Sequence, residues 1–472
     1  MNRTDPRPSP PRLPVAQPRR SIGRPPFLRF LLVLLAAAGM LPPAPAPAAD
    51  LSEIQRLARE SDPQFASARA AWQASRERIP QARALQLPSV TLNASANRND
   101  TDTTLRGSTN PFFQPGRRNF ETTALTVQVI QPVFRRANAV QLEQAGLQAG
   151  QADLQLMLAA QDLTLRAAQA FFDVLAAQES LAVLEAQKRA IGEQLAQAKA
   201  NFEVGTSTIV DFNEARARFD LATAQEIVGR NDLEVRRQAL QQIIGRPPPA
   251  QLRPLRDSAA LAPPLPADIE RWTEQAQQNA LAVRVQQATL ELASREIERQ
   301  RAAHLPTLDA VGSAGNNRAG GSATSSIGTD ITQLVLGLQL SVPLYQGGAV
   351  DSRVREAVAN RERALQDVEG ARRAAVLAAR QSFLGVTSGI SQVSALQAAL
   401  ESTRISLEST LLGLKVGVRT QVDVLNAQQA FFNARRDLVL ARYTTLLSGL
   451  RLQAAVGDLQ DDDLKPIDAL LR

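Results

Sequence analysis

An internal repeat restricts the folds open to this chain more than any other feature. When the sequence is shifted by 212 residues, "FEVGTSTIVDFNEARARFD" from Phe202 lies over "LKVGVRTQVDVLNAQQAFF" from Leu414 without a gap. Identities continue upstream to the pair Gln169 and Gln381, and downstream to the pair Gly245 and Gly457. Similarity over such a distance predicts one structural unit present twice.

Each copy also shows the same order of predicted elements. "LPSVTLNASAN" from Leu87 corresponds to "LPTLDAVGSAG" from Leu305, and "TVQVIQPVF" corresponds to "LGLQLSVPLY". Each unit is predicted as helix, strand, loop, strand, long helix, turn and long helix. The predicted organisation is a signal peptide (1–49), a first repeat (50–245), a Pro-rich linker (246–266), a second repeat (267–458) and a C-terminal tail (459–472).

The charge of the chain lies in its first segment. A net charge of +7 and a pI near 10.5 suggest a nucleic-acid partner at first sight. Residues 1–49, however, hold seven of the 53 basic residues and one of the 46 acidic ones, so that 46 basic and 45 acidic residues follow. Because the remainder is almost neutral, no nucleic-acid partner is expected.

The first segment has the features of a secretory signal. Arginines precede the apolar run "FLRFLLVLLAAAGML", and small residues follow it up to the predicted cleavage after Ala48 or Ala49. The chain contains no cysteine. An exported protein without cysteine depends on packing and assembly rather than on disulfides, and it has no cysteine for a lipid anchor.

After the signal, no stretch is expected to reach the roughly 18 apolar residues of a membrane-spanning helix. Three segments alternate instead between apolar and small or polar residues, as "LVLGLQLSV" does from Leu334 to Val342, and the repeat predicts a fourth strand from Leu305. Such alternation is typical of a soluble hairpin with one wet face, and also of strands that cross a membrane. The long polar loops between the strands favour the membrane. Because four strands cannot close a barrel, several chains would then share one.

The long helices follow from the distribution of proline. The chain has 28 prolines but none from 133 to 246 or from 344 to 465. Small and apolar residues at three- and four-residue spacing, as in "LEQAGLQAGQADLQLMLAAQDL", predict coiled-coil packing. An ordinary filamentous coiled coil would explain this feature as well.

Both long helical segments are interrupted by the same motif, V-G-x-x-T-x-V-D. Gly205 can end one helix in the left-handed conformation, and Thr208 with Asp211 matches the signal that starts the next. The second copy repeats this with Gly417, Thr420 and Asp423. Each segment is therefore predicted to be an antiparallel helical hairpin, in which the aspartate is a helix cap.

The segment "VGVRTQVDVLNAQQAFFNARRDLVLARYTTLLSGLRLQAAVGDL" resembles the last helical turn-and-return of the TolC-like outer-membrane efflux and secretion channels. The resemblance covers nearly all of residues 50–460. It implies a mainly α fold with a membrane β-barrel: a homotrimer shares a twelve-stranded barrel, which a long α-helical barrel continues across the periplasm. It also implies an exit duct for tripartite efflux or type I secretion in the outer membrane of a Gram-negative bacterium, in contact with outer-membrane lipid.

The resemblance also implies a site at the hairpin turns, which close the periplasmic end of the tube. A periplasmic adaptor and an inner-membrane pump of the RND or ABC type would open it. The residues that match adaptor-contacting tips are Val204, Gly205, Thr206, Val416, Gly417 and Val418. The residues that match the gate are Asp211, Leu414, Arg419, Asp423 and Asn426.

Within the gate, Asp423 matches an aspartate that lines the pore, and Arg419 matches an arginine that joins the two hairpins, with Asp211 as its partner. Two positions depart from the best-known pattern, because Asn426 replaces a second aspartate and Leu414 replaces a tyrosine. For Asp423, a role as a cap and a role in the gate both remain open, and the two are compatible.

Two other classes of protein share some of these sequence features. A periplasmic or surface coiled coil without channel activity is the main alternative, and it would need no detergent. An enzyme is not expected, since the chain has one histidine, no cysteine and no phosphate-binding glycine motif. No cofactor or metal is expected.

Overall fold

The structure, a computed structural model, describes residues 50–104, 106–107, 115–249, 251–257 and 259–471. The predicted signal peptide and most of the predicted loop between the first two strands lie outside the described residues. The described part consists of long helices and one four-stranded sheet.

The elements recur in the same order in the two halves. The first half holds α1 (Leu51–Ser61), α2 (Pro63–Arg76), α3 (Arg78–Ala84), β1 (Ser89–Thr103), β2 (Gly116–Phe134), α4 (Arg136–Glu203) and α5 (Ile209–Ile244). The second half holds α6 (Ile269–Asn279), α7 (Leu281–Arg301), β3 (Thr307–Ala319), β4 (Thr329–Ser341), α8 (Ala349–Lys415) and α9 (Gln421–Ala455), with α10 (Lys465–Asp468) after it. The predicted order of helix, strand, strand, long helix, turn and long helix is therefore present twice.

The four strands form one antiparallel sheet in the order β1-β2-β3-β4. The central pair joins the two halves of the chain, with Val127 opposite Ala314. β1 and β4 have one neighbour each, so the sheet ends in two edges whose outer backbone groups face no other strand of the described chain. An edge of this kind is a template for pairing with another chain.

The predicted alternation is visible on β4. Leu334, Leu336, Leu338 and Leu340 follow one another at two-residue spacing, and Leu336 is 78% exposed. A stripe of exposed leucines is unfavourable in water but suits the hydrocarbon of a bilayer.

α4 and α5 form the first hairpin, and α8 and α9 form the second. α4 has 68 residues and is therefore roughly 100 Å long at 1.5 Å per residue. α5 packs along α4, α9 packs against both α4 and α8, and α7 lies between α4 and α8. The helices thus form a strip that begins with α5 and ends with α8. The first half of the chain supplies one side of this strip and the second half the other, as in the sheet.

α8 contains an 18-residue stretch apolar enough to cross a membrane, the one such helix among the described residues. The expectation that no stretch after the signal would reach this level was therefore wrong. The helix has 67 residues, about three times the length needed to span a hydrocarbon core of about 30 Å, and it packs on α6, α7 and α9. Little of the apolar stretch is buried within the described chain.

The main core lies half-way along the helices, where Phe171, Phe172 and Tyr443 are buried together. The C-terminal tail folds onto this core. Asp468 accepts hydrogen bonds from the backbone N–H of Leu51 (2.7 Å) and of Ser52 (3.2 Å), so the last helix caps the first one. Burial raises the pKa of the Asp468 carboxyl above its ordinary value.

Candidate gate at the hairpin tips

The two hairpin tips have almost identical backbones. Gly205 has φ +78° and Gly417 has φ +79°, a left-handed conformation that glycine adopts without strain. After each glycine the chain bonds back to the end of the preceding helix, through Thr206 N to Asn201 O (2.8 Å) in the first tip. The equivalent bond in the second tip joins Val418 N to Gly413 O (2.9 Å). Each helix therefore ends, turns and restarts within about five residues.

A capping box restarts the helix in both tips. In the first, the Asp211 N–H donates to Thr208 Oγ1 (3.2 Å), and Asp211 Oδ2 accepts from the Thr208 N–H (3.2 Å). In the second, the Asp423 N–H donates to Thr420 Oγ1 (3.2 Å), and Asp423 Oδ2 accepts from the Thr420 N–H (2.9 Å). The interpretation of both aspartates as helix caps is confirmed.

These hydrogen bonds favour the ionised carboxylates. The hydrogen bond from the Thr208 hydroxyl is the largest influence on the pKa of Asp211 and lowers it. Burial acts in the opposite direction, but the hydrogen bonds from Ser207 and from the Thr208 N–H add to the first, so that the pKa is lowered overall. The Thr420 N–H lowers the pKa of Asp423, and the nearby charge of Arg419 acts in the same direction. Both aspartates are therefore charged at neutral pH.

We expect the tips to loosen in acid. A lowered pKa in the folded tip means that the unfolded tip binds the proton first, so each cap is fully present above the ordinary value of 3.8 and is lost as the pH falls below it. Hydrogen exchange of residues 421–425, corrected for intrinsic rates, should accelerate at pH 3 relative to pH 6 more than exchange in the middle of α9. In Asp423→Asn this extra acceleration should disappear at the second tip alone. If it persisted there, Asp423 would not be the ionised helix cap that loosens in acid.

The structure does not bring Arg419 and Asp211 together within one chain. Arg419 is exposed and forms no ion pair with any described residue of its own chain, while its aliphatic stem lies over Gly413. A Cβ at position 413 would lie 2.6 Å from Arg419 Cγ, so glycine at 413 makes room for the arginine.

Leu414 and Asn426 are the two remaining residues of the predicted gate. Leu414 is half-buried at the end of α8. Asn426 is exposed, and its Oδ1 accepts a hydrogen bond from Arg218 Nη2 of the first hairpin (3.3 Å). Arg218 also pairs with Glu214 (3.0 Å). The amide of Asn426 thus joins the two hairpins of one chain.

Sequence reasoning missed Gly413, Arg218 and the buried glutamines behind the tips. A glycine within a predicted helix, four residues before the turn glycine, was a usable signal for Gly413. No local pattern marks Arg218, because its partner Asn426 is 208 residues away.

The tips carry exposed apolar side chains. Val204 is 73% exposed and Val418 is 75% exposed, and Val210 and Val416 are also exposed. Such residues, held on a rigid turn, form a small apolar surface at the end of each hairpin.

Comparison with known proteins identifies the family. The family model described as outer membrane efflux protein matches residues 54–246 and 272–458, which is most of both repeats. The chain belongs to the outer membrane efflux protein family. Over 427 residues it is 34% identical to outer membrane protein TolC of Vibrio cholerae, with 90% of this chain and 94% of that protein covered. It is 30% identical to the proteases secretion protein PrtF of Dickeya chrysanthemi, with 94% and 95% covered.

Solved outer-membrane channels have the same fold. The chain superimposes on the CmeC outer membrane channel of Campylobacter jejuni with a TM-score of 0.74 and 15% identity, over 98% of both chains. It superimposes on the open MtrE outer membrane channel of Neisseria gonorrhoeae with a TM-score of 0.70 and 19% identity, over 87% and 90%. The predicted fold class, long helices with a membrane β-sheet domain, is confirmed.

Membership fixes the general role of this outer membrane efflux protein. It is an outer-membrane exit duct for efflux and type I secretion, and its helices extend into the periplasm. The family is a transport family rather than a family of enzymes.

Proposed function

We propose that three copies of this chain close into one continuous duct, which is opened at the hairpin tips by a periplasmic adaptor and an inner-membrane pump. The observation that carries the proposal is that the chain is a strip with two open sides. β1 and α5 form one side, and β4 and α8 form the other. A strip of this kind satisfies both sides at once only by head-to-tail association into a ring.

The helical edges carry matching apolar stripes. On α5, Leu221, Val228 and Val235 are exposed at seven-residue intervals. On α8, exposed leucines and isoleucine recur at the same spacing or its multiples: Leu377, Leu384, Ile405 and Leu412. Heptad spacing is the signature of a coiled-coil seam, so α5 of one copy fits α8 of the next.

The sheet edges close in the same way. Three chains of four strands give a twelve-stranded barrel, in which β4 of one copy pairs with β1 of the next and no edge remains in lipid. The exposed leucines of β4 then contact outer-membrane lipid.

In the ring, we propose that Asp423 of each copy lines the narrowest point and that Arg419 holds the second hairpin against Asp211 of a neighbouring copy. Support comes from the charged state of both aspartates and from the absence of an ion-pair partner for Arg419 within the described chain. The exposed tips, Val204 to Thr206 and Val416 to Val418, are proposed to contact the adaptor. The resemblance to TolC-like channels supplies the adaptor and pump, and the exported substrate is not specified by these residues.

We expect Leu384→Glu to abolish the ring while the chain still folds. Leu384 is exposed in the single chain, so the glutamate is tolerated there, but in the ring it buries an uncompensated charge at a cost on the order of 3–5 kcal/mol. Native electrophoresis in mild detergent should show loss of the trimer, with helicity by circular dichroism retained.

The matched control is Leu265→Glu, because Leu265 is equally apolar and 82% exposed but lies in the loop between the repeats. This variant should stay trimeric and in the outer membrane. A trimer of Leu384→Glu as stable as the parent, or a parent chain that is a monomer in the periplasmic fraction, would overturn the proposal.

A further inference from the structure

The interface between the two hairpins contains buried glutamines close to the tips. Gln194 of α4 meets Gln421 of α9, with Gln421 Nε2 donating to Gln194 Oε1 (3.0 Å). Seven residues further from the tip on each helix, Gln187 and Gln428 are buried as well. All four are less than a tenth exposed. Their spacing places them at equivalent core positions of the packed helices, where apolar side chains are the rule.

The two amide layers enclose one apolar layer. Ile191 of α4 and Leu425 of α9 are buried in the same cluster between them. In the amide layer farther from the tip, Gln187 Nε2 donates to Gln429 Oε1 (2.9 Å), and Gln429 Nε2 donates to Asn433 Oδ1 (2.9 Å). We call the set Gln187, Gln194, Gln421 and Gln428 the amide seam.

The amide seam is not built for maximum stability. The Oε1 atom of Gln428 is buried and has no hydrogen-bond partner in the described part of the chain. A buried acceptor left unpaired is destabilising, and a leucine of similar size would avoid that cost. Further along α9, Leu447 and Leu450 are buried in the main core together with residues of α4. Among the described residues of α9, the buried glutamines are Gln421 and Gln428, and both lie near the tip.

We propose that the amide seam sets the balance between the closed and the open duct, by fixing the closed register of the hairpins while keeping their association weak enough to release. Polar residues at core positions specify register and reduce stability. When the hairpins part, the amides regain hydrogen bonds with water, whereas leucines would lose their burial. This inference rests on the proposed gate at the tips.

The test replaces the two glutamines of the amide layer nearest the tip by leucine, in the double variant Gln194→Leu/Gln421→Leu. Planar-bilayer recordings of the reconstituted trimer should show at least a tenfold lower fraction of time in high-conductance states than for the parent. The thermal midpoint of the trimer should rise at the same time. The control is Gln275→Leu/Gln278→Leu, two exposed glutamines on α6, which should change neither quantity.

A second variant keeps the inference testable if the leucine pair fails to assemble. Gln194→Ala/Gln421→Ala removes the hydrogen bond without adding a large apolar contact, so it should open more often than the parent. Equal opening of the parent and of every seam variant that forms trimers would overturn the inference. Absence of conductance from the parent itself would instead overturn the proposed function.

Discussion

Removal of the carboxylate at position 423 is expected to relieve block of the duct by multivalent cations added from the periplasmic side. Three carboxylates around one narrow axis concentrate negative potential and attract cations. Asp423→Ala and Asp423→Asn should therefore both raise the concentration for half-block roughly tenfold or more, a change within the range of electrostatic focusing. Planar-bilayer recording with a trivalent cation measures this directly.

The matched control separates the charge from the helix cap. Thr420→Ala removes the hydroxyl that accepts from the Asp423 N–H but leaves the carboxylate in place. It should cost about 0.5–2 kcal/mol of helix stability and leave cation block unchanged. If Thr420→Ala relieved block as strongly as Asp423→Asn, the aspartate would be a cap alone.

Comparison of the single variants Gly417→Val and Gly457→Val should distinguish a loss of transport caused at the hairpin tip from a loss of folding. Both glycines have φ +79°, so valine costs about 1–3 kcal/mol of backbone strain at either position. A Cβ at Gly417 meets nothing within 4 Å, whereas a Cβ at Gly457 would lie 2.5 Å from the backbone oxygen of Asn279. Overpacking at Gly457 adds roughly 1–3 kcal/mol.

We therefore expect Gly457→Val to lose the folded trimer. Gly417→Val should keep the trimer and lose transport, because it distorts an exposed turn proposed to contact the adaptor. A transport assay beside trimer electrophoresis distinguishes the two results. Equal loss of trimer in both variants would show that the glycine at the tip is only structural.

The hairpins were predictable because their signals are local. Gly417 ends a helix through its own backbone freedom, and Thr420 with Asp423 starts the next within three residues. The strands were predictable for a similar reason, since side chains at two-residue spacing share a face. One prediction was wrong: the apolar stretch in α8 reaches the level of a membrane-spanning helix, in a helix that packs on α6, α7 and α9 and therefore has apolar residues on more than one side.

The contacts that Asn426 and the amide seam make between the two hairpins were not predictable from the spacing of residues in the sequence. Arg218 reaches Asn426 across 208 residues, and Gln194 meets Gln421 across 227. Glutamines are common in the polar faces of long helices, so nothing in the sequence marks these as buried. Only the packing of α4 against α9 decides which glutamines face inward.

The sequence by itself determined the duplication, the two helical hairpins and the four strands, because each depends on residues close together or on similarity between two copies. The tertiary structure alone decided the order of helices in the strip, the two open sides and the amide seam. Those features depend on contacts between residues far apart, and the register of two long helices selects such contacts from many that the sequence would allow.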